Sequence, residues 1–328
     1  MQRNLSAVLV FTLATLTGLQ QAPAAAAQGA SYPVKPIRLI IANTTGTSVD
    51  TLSRVLAARM GDALGQQMVA DNRGGAGGTI GAEIAAHATP DGYTLFLTST
   101  GVQVVSPQLY KKLNYHPVKD FEPISLFAIT QNILVVNSSL PFKSVKDLLA
   151  YARANPDKLN MSNAGSGFQS HLAGVLFAHM ADINVRHVPY KGGASLIAVM
   201  ANESQFTIAP GPSLLGHVRA GRLRALATGG EKRSPLTPEL PTISESGVPG
   251  FVSTGWAGLM APKKTPKPVL DKLHATLVKV INDPVTREQL ERQGGEPTTS
   301  TSQEMIAFIG KEYERFGQAI KIAGLDIQ

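Results

Sequence analysis

An α/β fold with largely parallel sheets is what the sequence predicts, and three observations lead there. Short runs rich in β-branched and apolar residues alternate with segments of helical periodicity through most of the chain. Cap and turn signals fall between them. Beyond a leader-like start, roughly 300 residues remain, a length that suits two lobes better than one.

The start comes first in the chain. Arg3 supplies a positive charge, Leu5 to Leu19 form an apolar run too short to span a bilayer comfortably, and "APAAAAQGA" offers small residues at cleavage spacing. Residues 1–27 read as a secretory signal peptide cut close to Ala26 or Ala27. Strands are then expected at Ile37 to Ala42, Met68 to Asp71, Thr94 to Thr98, Ile133 to Val136, Leu159 to Ser162, Val185 to Val188, Phe206 to Ala209 and Leu223 to Thr228. Helices are expected between them, at Val49 to Leu64, Thr79 to His87, Val145 to Asn155, Ser170 to Met180, Ala194 to Asn202 and Leu214 to Ala220. Ser144 with Asp147 forms a capping pattern, as does Thr301 with Glu304. The tail changes character: Lys267 to Ile281, Val285 to Gln293 and Ser302 to Ala323 read as successive helices.

Composition narrows the functions. With no cysteine in an exported chain there is no disulfide, thiolate nucleophile, Cys-ligated metal or N-terminal lipid anchor. Lys plus Arg number 30 against 23 Asp plus Glu, a net +7 that becomes +6 when Arg3 leaves with the signal. That excess is scattered, with no basic block or basic-aromatic stripe, so nucleic-acid binding is not indicated. A mild positive potential suits anionic small molecules, and equally suits solubility.

Three strand-to-helix junctions are rich in Ser, Thr, Asn or Gly: "NTTGTS" at 43–48, "TSTG" at 98–101 and "SNAGSGFQS" at 162–170. In open α/β sheets ligands bind at the carboxyl ends of strands, where helix N-termini present free N–H groups and a positive dipole end. Such an arrangement suits carboxylates or phosphates. Enzyme signatures are missing: no G-x-S-x-G, P-loop or H-E-x-x-H, and no metal-like clustering of the seven histidines. "GSGFQS" has the first two glycines of a dinucleotide loop, but Ser170 replaces the third and no acidic residue follows at about 20 residues. "DNRGGAGGTIGAE", Asp71 to Glu83, is the densest Gly cluster; a phosphate cradle is one reading. A flexible connection is preferred, because no Lys-Ser or Lys-Thr pair follows. His171 either contacts a ligand or packs the first turn of its helix. Tyr190 and Lys191 sit where a strand ends, and Trp256 reads as a packing residue of the core or of the lobe interface.

The residues then become familiar. "YPVKPIRLI", "DNRGGAGGTIGAEIAAHATPDGYTL", "YKKLNYHPVKDFEPISL", "NAGSGFQSHLAG", "HVPYKGG", "AGRLRALA", "PTISESGVPGF" and "GWAGLMAP" resemble, in the same order, the extracytoplasmic solute receptors of tripartite tricarboxylate transporters, the Bug family. The resemblance runs from about Tyr32 to the C-terminus. It implies a two-lobed periplasmic-binding-protein fold of the Venus flytrap, type II-like kind with two chain crossings between lobes. One lobe comprises 31–131 plus 254–328 and the other 132–253. The ligand lies in the cleft, and closure is a hinge motion. The implied function is a periplasmic receptor, not an enzyme, that captures a small organic carboxylate and delivers it to the membrane permease subunits of a tripartite tricarboxylate transporter. It implies a monomer with no cofactor, metal or nucleic-acid partner.

On that reading Thr44, Thr45, Gly46, Thr47 and Ser48 supply amide and hydroxyl donors, with Ser99 and Thr100 beside them. Asn163, Gly165, Ser166 and Gly167 answer from the second lobe, joined by Tyr190 and by His171, which orders that loop. Asp50 caps the first loop and stays off the anion, since two carboxylates repel. The chain departs from its relatives in two places. "ANTTGTSVD" stands where they typically carry a Gly-rich "PFxxGGxxD", and "APGPS", Ala209 to Ser213, stands where many have an aspartate. The second departure removes an acceptor for a ligand ammonium. Two other functions stay open on the residues: a sensor passing its closed state to a signalling partner, and a secreted hydrolase using Ser166 or Ser170 with His171. Sequence neighbours rarely make a nucleophile–base pair, and no acidic orienter is identifiable.

Overall fold

A computed structural model of the chain describes residues 32–325. The expected signal peptide lies outside the described residues. Among them no helix is long and apolar enough to cross a membrane.

The strand-helix alternation begins with β1 (Ile37–Ile41) and α1 (Ser48–Leu64), then β2 (Met68–Asn72), α2 (Thr79–Ala86) and β3 (Thr94–Ser99). β1 is central and parallel to both β2 and β3. Its Ile37, Leu39, Ile40 and Ile41 are fully buried, as expected of a strand covered on both faces. α1 buries Leu52, Leu56 and Met60 along one face and stops at Gly65, whose φ of 70° is the left-handed C-cap that glycine supplies without a Cβ clash. After β3 a π-helical turn (Gly101–Val105) leads into the short α3 (Ser106–Leu109).

β4 (Phe121–Asn137) is one 17-residue strand where the sequence suggests only Ile133 to Val136 near its end. The second section follows with α4 (Val145–Ala154), β5 (Asn160–Asn163), α5 (Gln169–Met180), β6 (Arg186–Pro189), α6 (Ala194–Met200), β7 (Phe206–Pro210), α7 (Gly211–Arg219) and β8 (Leu223–Thr228). The chain returns through β9 (Thr254–Pro262), missed as a strand, to α8 (Lys267–Asn282), α9 (Pro284–Arg292), β10 (Glu296–Pro297) and α10 (Ser302–Ile322). Both expected capping boxes are present, Ser144 with Asp147 on α4 and Thr301 with Glu304 on α10.

The sheet runs β2-β1-β3-β9-β4-β7-β5-β6, with β8 and β10 also on β4. Its outer parts are parallel, but β9 pairs antiparallel with both β3 and β4, and β7 and β8 pair antiparallel with β4. The expectation of largely parallel pairing therefore holds only for the βαβ units. β4 runs continuously from one section into the other and β9 lies between β3 and the first part of β4, both antiparallel to their neighbours. β4 changes partners at one point: residues up to Gln131 pair with β9, and those from Asn132 with β7. At that point three segments are laced together. Gly229 N–H donates to Asn132 O at 2.7 Å, Ser253 N–H to Gly229 O at 2.7 Å, and Asn132 Nδ2 to Ser253 Oγ at 2.6 Å.

Two large cores lie on either side. One gathers Phe177, Phe206 and Phe251 edge to face under α4 and α5. The other gathers Phe96, Phe121 and Trp256 against α2 and α10. Each fully buried Phe is worth about 1.5–3 kcal/mol of transfer free energy. α5 serves both, with Phe177 in the first core and Leu172 in the second.

Candidate functional site

The loop after β1 is shaped by one carboxylate. Thr47 is the N-cap of α1, its Oγ1 accepting from Asp50 N–H at 3.3 Å. Asp50 is 2% exposed and turns back to accept from Gly46 N–H (2.8 Å), Asn72 Nδ2 (2.8 Å) and Arg54 Nε (3.1 Å). Burial pushes the Asp50 carboxyl up, but the Gly46 amide, Arg54 and Asn72 together outweigh it and hold the group below the usual carboxylate range. Gly46 turns the chain at φ 82°, a left-handed value that glycine adopts without strain.

The loop after β5 is shaped by neutral acceptors. Asn163 Oδ1 takes Gly165 N–H at 3.0 Å, Ser170 Oγ takes Ala164 N–H at 3.0 Å, and His171 Nδ1 takes Gly167 N–H at 3.2 Å. The last bond puts the His171 proton on Nε2. Burial holds His171 below its ordinary value; it does the same to His187, whose ring stands edge-on at 5.8 Å and feels the His171 charge as well.

Between these loops lies a cavity of about 500 Å³, within the range of small-molecule sites. Thr44, Thr47 and Ser48 reach it from the first loop, Ser99 and Thr100 from the end of β3, and Ser166 and Gly167 from the loop after β5. A second chamber of about 370 Å³ adjoins it, sharing Thr47, Ser48 and Pro210, and Gly46 lines this one. The remaining residues proposed from sequence line neither chamber. Thr45 is exposed on the outside of its turn. Asn163 is fully buried, its Oδ1 taken by Gly165 N–H and its Nδ2 without a partner. Gly165 stacks behind Phe168, His171 supports Gly167 from below, and Tyr190 donates its N–H to Asn163 O.

Several lining residues escaped the sequence reading. The segment Gly74–Gly78, preferred as a flexible connection, forms a wall. It lies flat because it has almost no side chains: a Cβ on Gly78 would stand 2.5 Å from Val102 Cγ2, and one on Gly74 3.0 Å from Thr44 Cγ2. Gly density is the signal: the segment serves as the connection expected of it and as a wall too. Gln169 and Gly255 meet in the same wall, where a Cβ on Gly255 would stand 3.0 Å from Gln169 Nε2. Gln169 Nε2 and Asn43 Oδ1 are buried without partners, and both residues line the cavity. Trp256 does two jobs. It is 2% exposed with its ring edge on Phe308 at 5.8 Å, its backbone N–H donates to Thr100 Oγ1, and it lines the cavity.

The arrangement offers amides, hydroxyls and two helix starts, α1 and α5. It offers no nucleophile–base pair: the His171 Nδ1 that a base would need is committed to Gly167, and Ser170 Oγ to Ala164. Among the described residues no group of three His, Asp or Glu is placed to hold a metal ion.

The tripartite tricarboxylate transporter family receptor model matches residues 52–325. The chain belongs to that family. It is 32% identical over 300 residues to Protein BugT of Bordetella pertussis, an alignment covering 91% of this chain and 92% of the relative. Among solved structures it resembles Rpa4515 of R. palustris with adipate (33% identity, TM-score 0.81, covering 90% of this chain and 99% of that one). It also resembles MatC from Rhodopseudomonas palustris with bound malate (29% identity, TM-score 0.75, covering 88% and 100%). The fold is therefore the two-lobed periplasmic-binding-protein fold, and the family is one of periplasmic solute receptors, not enzymes.

Proposed function

We propose that the chain is exported, loses its signal peptide, and captures a small organic carboxylate in the cleft for delivery to the permease subunits of a tripartite tricarboxylate transporter. The observation that carries this reading is the cavity itself, lined by three strand-to-helix junctions rich in Ser, Thr, Asn and Gly and, among the described residues, by no acid. The adipate and malate held by two relatives support the ligand class. Thr44, Thr47, Ser48, Ser99 and Thr100 hold the anion from one lobe and Ser166 from the other, where Gly167, its N–H given to His171 Nδ1, leaves room for it. Asp50, Asn163, Gly165 and His171 set the loop shapes from behind. Lobes of 31–131 plus 254–328 and of 132–253 fit the change of strand partners at Gln131/Asn132 and the lacing at Ser253.

Thermal shift or calorimetry on the mature chain with mono-, di- and tricarboxylates is the test. A ligand bound only by the folded state stabilises it by about 2.7 kcal/mol at a hundredfold excess over Kd. If a sugar, cation or peptide shifts the melting point and no carboxylate does, the reading is lost. Co-purification of the liganded receptor with its permease from detergent-solubilised membranes tests the delivery step.

A further inference from the structure

Among the described residues, no Asp, Glu, Lys, Arg or His lines either chamber. The acid nearest in sequence, Asp50, is spent on Gly46, Asn72 and Arg54. One wall of the main chamber, from the π-helical turn and α3, is instead hydrocarbon: Val102, Val105 and Leu109, with the Phe168 ring, 59% exposed, at the lip; Val49 and Leu52 of α1 add apolar lining from their own helix. Leu109 stands close to the opposite loop, since a Cβ on Gly167 would lie 2.9 Å from its Cδ1. That wall therefore flanks the point where the two lobes approach.

We infer that the ligand is a carboxylate on an unbroken hydrocarbon body, an aliphatic chain or a ring, and that the cleft rejects the same molecule carrying an α-ammonium. This rests on the carboxylate-receptor reading. Two physical effects act together. The N-termini of α1 and α5 bring positive dipole ends to the cavity, which attract a carboxylate and repel an ammonium. An ammonium taken out of water there also meets no carboxylate to replace its hydration. The hydrocarbon wall adds selection for length, because only a body that reaches it removes apolar surface from water. The unpartnered Gln169 Nε2 is a neutral donor and the unpartnered Asn43 Oδ1 a neutral acceptor. Neither can stand in for a counter-ion.

The test is isothermal titration calorimetry on the mature chain with matched pairs: 3-phenylpropanoate against phenylalanine, adipate against 2-aminoadipate, and adipate against succinate. The deaminated member of each amino pair is expected to bind at least tenfold tighter, and adipate at least tenfold tighter than succinate. Equal or reversed affinities in the amino pairs overturn the inference. So does binding of malate or citrate while none of the compounds in these pairs binds, an outcome that leaves the receptor reading standing. Silence from every carboxylate overturns both. Leu109→Glu, at a partly exposed position, places an acid on the hydrocarbon wall and is expected to narrow the 2-aminoadipate gap at least tenfold. An unchanged ratio removes that wall from the site.

Discussion

The two loops that face each other across the cleft are built on opposite principles. Asn43 to Asp50 is held chiefly by one buried carboxylate that gathers an amide, an arginine and an asparagine, with Thr47 bonding Thr44 O and Asp50 N–H beside it. Asn163 to Ser170 is held by three separate neutral acceptors, one of them a histidine on α5. A charged centre holding several partners fails all at once when removed, whereas a set of neutral bonds fails in parts and responds to pH through its one titratable member. The first loop is thus a fixed wall, and the second is adjustable and rides on a helix that packs in both cores.

Removing the charged centre should therefore produce the largest effect. Asp50→Ala leaves Gly46 N–H, Asn72 and Arg54 without their acceptor and is expected to cost about 3 kcal/mol of stability in urea denaturation. Carboxylate affinity should fall at least a hundredfold in calorimetry. No comparable single replacement exists in the second loop. If Asn163→Ala costs as much, the contrast fails.

Glycines in left-handed conformation sharpen the comparison. Gly46 (φ 82°) has open space where a methyl group would sit, whereas a methyl on Gly167 (φ 77°) would face Leu109 at 2.9 Å. Alanine should cost about 1 kcal/mol at Gly46, from backbone strain alone. At Gly167 the cost should approach about 2 kcal/mol, because contact strain adds to it. Ligand affinity should fall further for Gly167→Ala, since the clash lies between the lobes.

The pH response separates the loops next. His171 is held below its ordinary value of 6.5 by burial, so the unfolded chain takes up this proton before the folded one does. Stability should fall as pH drops below 6.5 and level off once the folded state is protonated too. His187 contributes in the same direction. Asp50, lowered from 3.8, contributes stability that is fully present above 3.8 and lost only as pH falls through its lower folded value. Between pH 7 and 5 the first loop is therefore silent. Melting curves over that interval should show a decline that His171→Gln reduces, at a cost of about 1 kcal/mol for the altered bond to Gly167. An identical slope in that variant assigns the response elsewhere.

Much of this was legible beforehand, and the exceptions have physical causes. β1, β3, β7 and β8 announce themselves by apolar runs, and Ser144 and Thr301 by capping spacing. β4 and β9 were under-read. Glu122, Pro123 and Ser125 interrupt the apolar pattern of β4 at an irregular register with β9, and "TGWAGLMAP" carries two glycines where Met305 and Thr130 press against the backbone. Polar loops after strands pointed to the cleft. What they did not reveal is which side chain of each loop turns inward, because that depends on a turn closed by residues distant in sequence, such as Asn72 for the first loop. Gly74 to Gly78 is the connection between β2 and α2 that its glycines predict, with Gly75, Gly77 and Gly78 at positive φ, but its second use, the room it leaves for Val102 and Thr44, is set by residues that only the folded chain brings near.

The smallest expected effect tests that last point within the first loop, at two threonines that look alike in sequence. Thr45 is exposed and lines neither chamber, whereas Thr47 lines both and caps α1. Glycine at an N-cap costs only a few tenths of a kcal/mol, and a surface substitution stays within about 0.5 kcal/mol, so neither variant should differ much in stability. Their binding should differ instead. Thr47→Gly removes a hydroxyl and a methyl from the junction of the two chambers and is expected to change affinity for a bound carboxylate at least fivefold. Thr45→Gly should leave it within twofold. Equal effects by calorimetry would mean that the loop turns over when the lobes close, bringing Thr45 inward, and the first wall would then be no more fixed than the second.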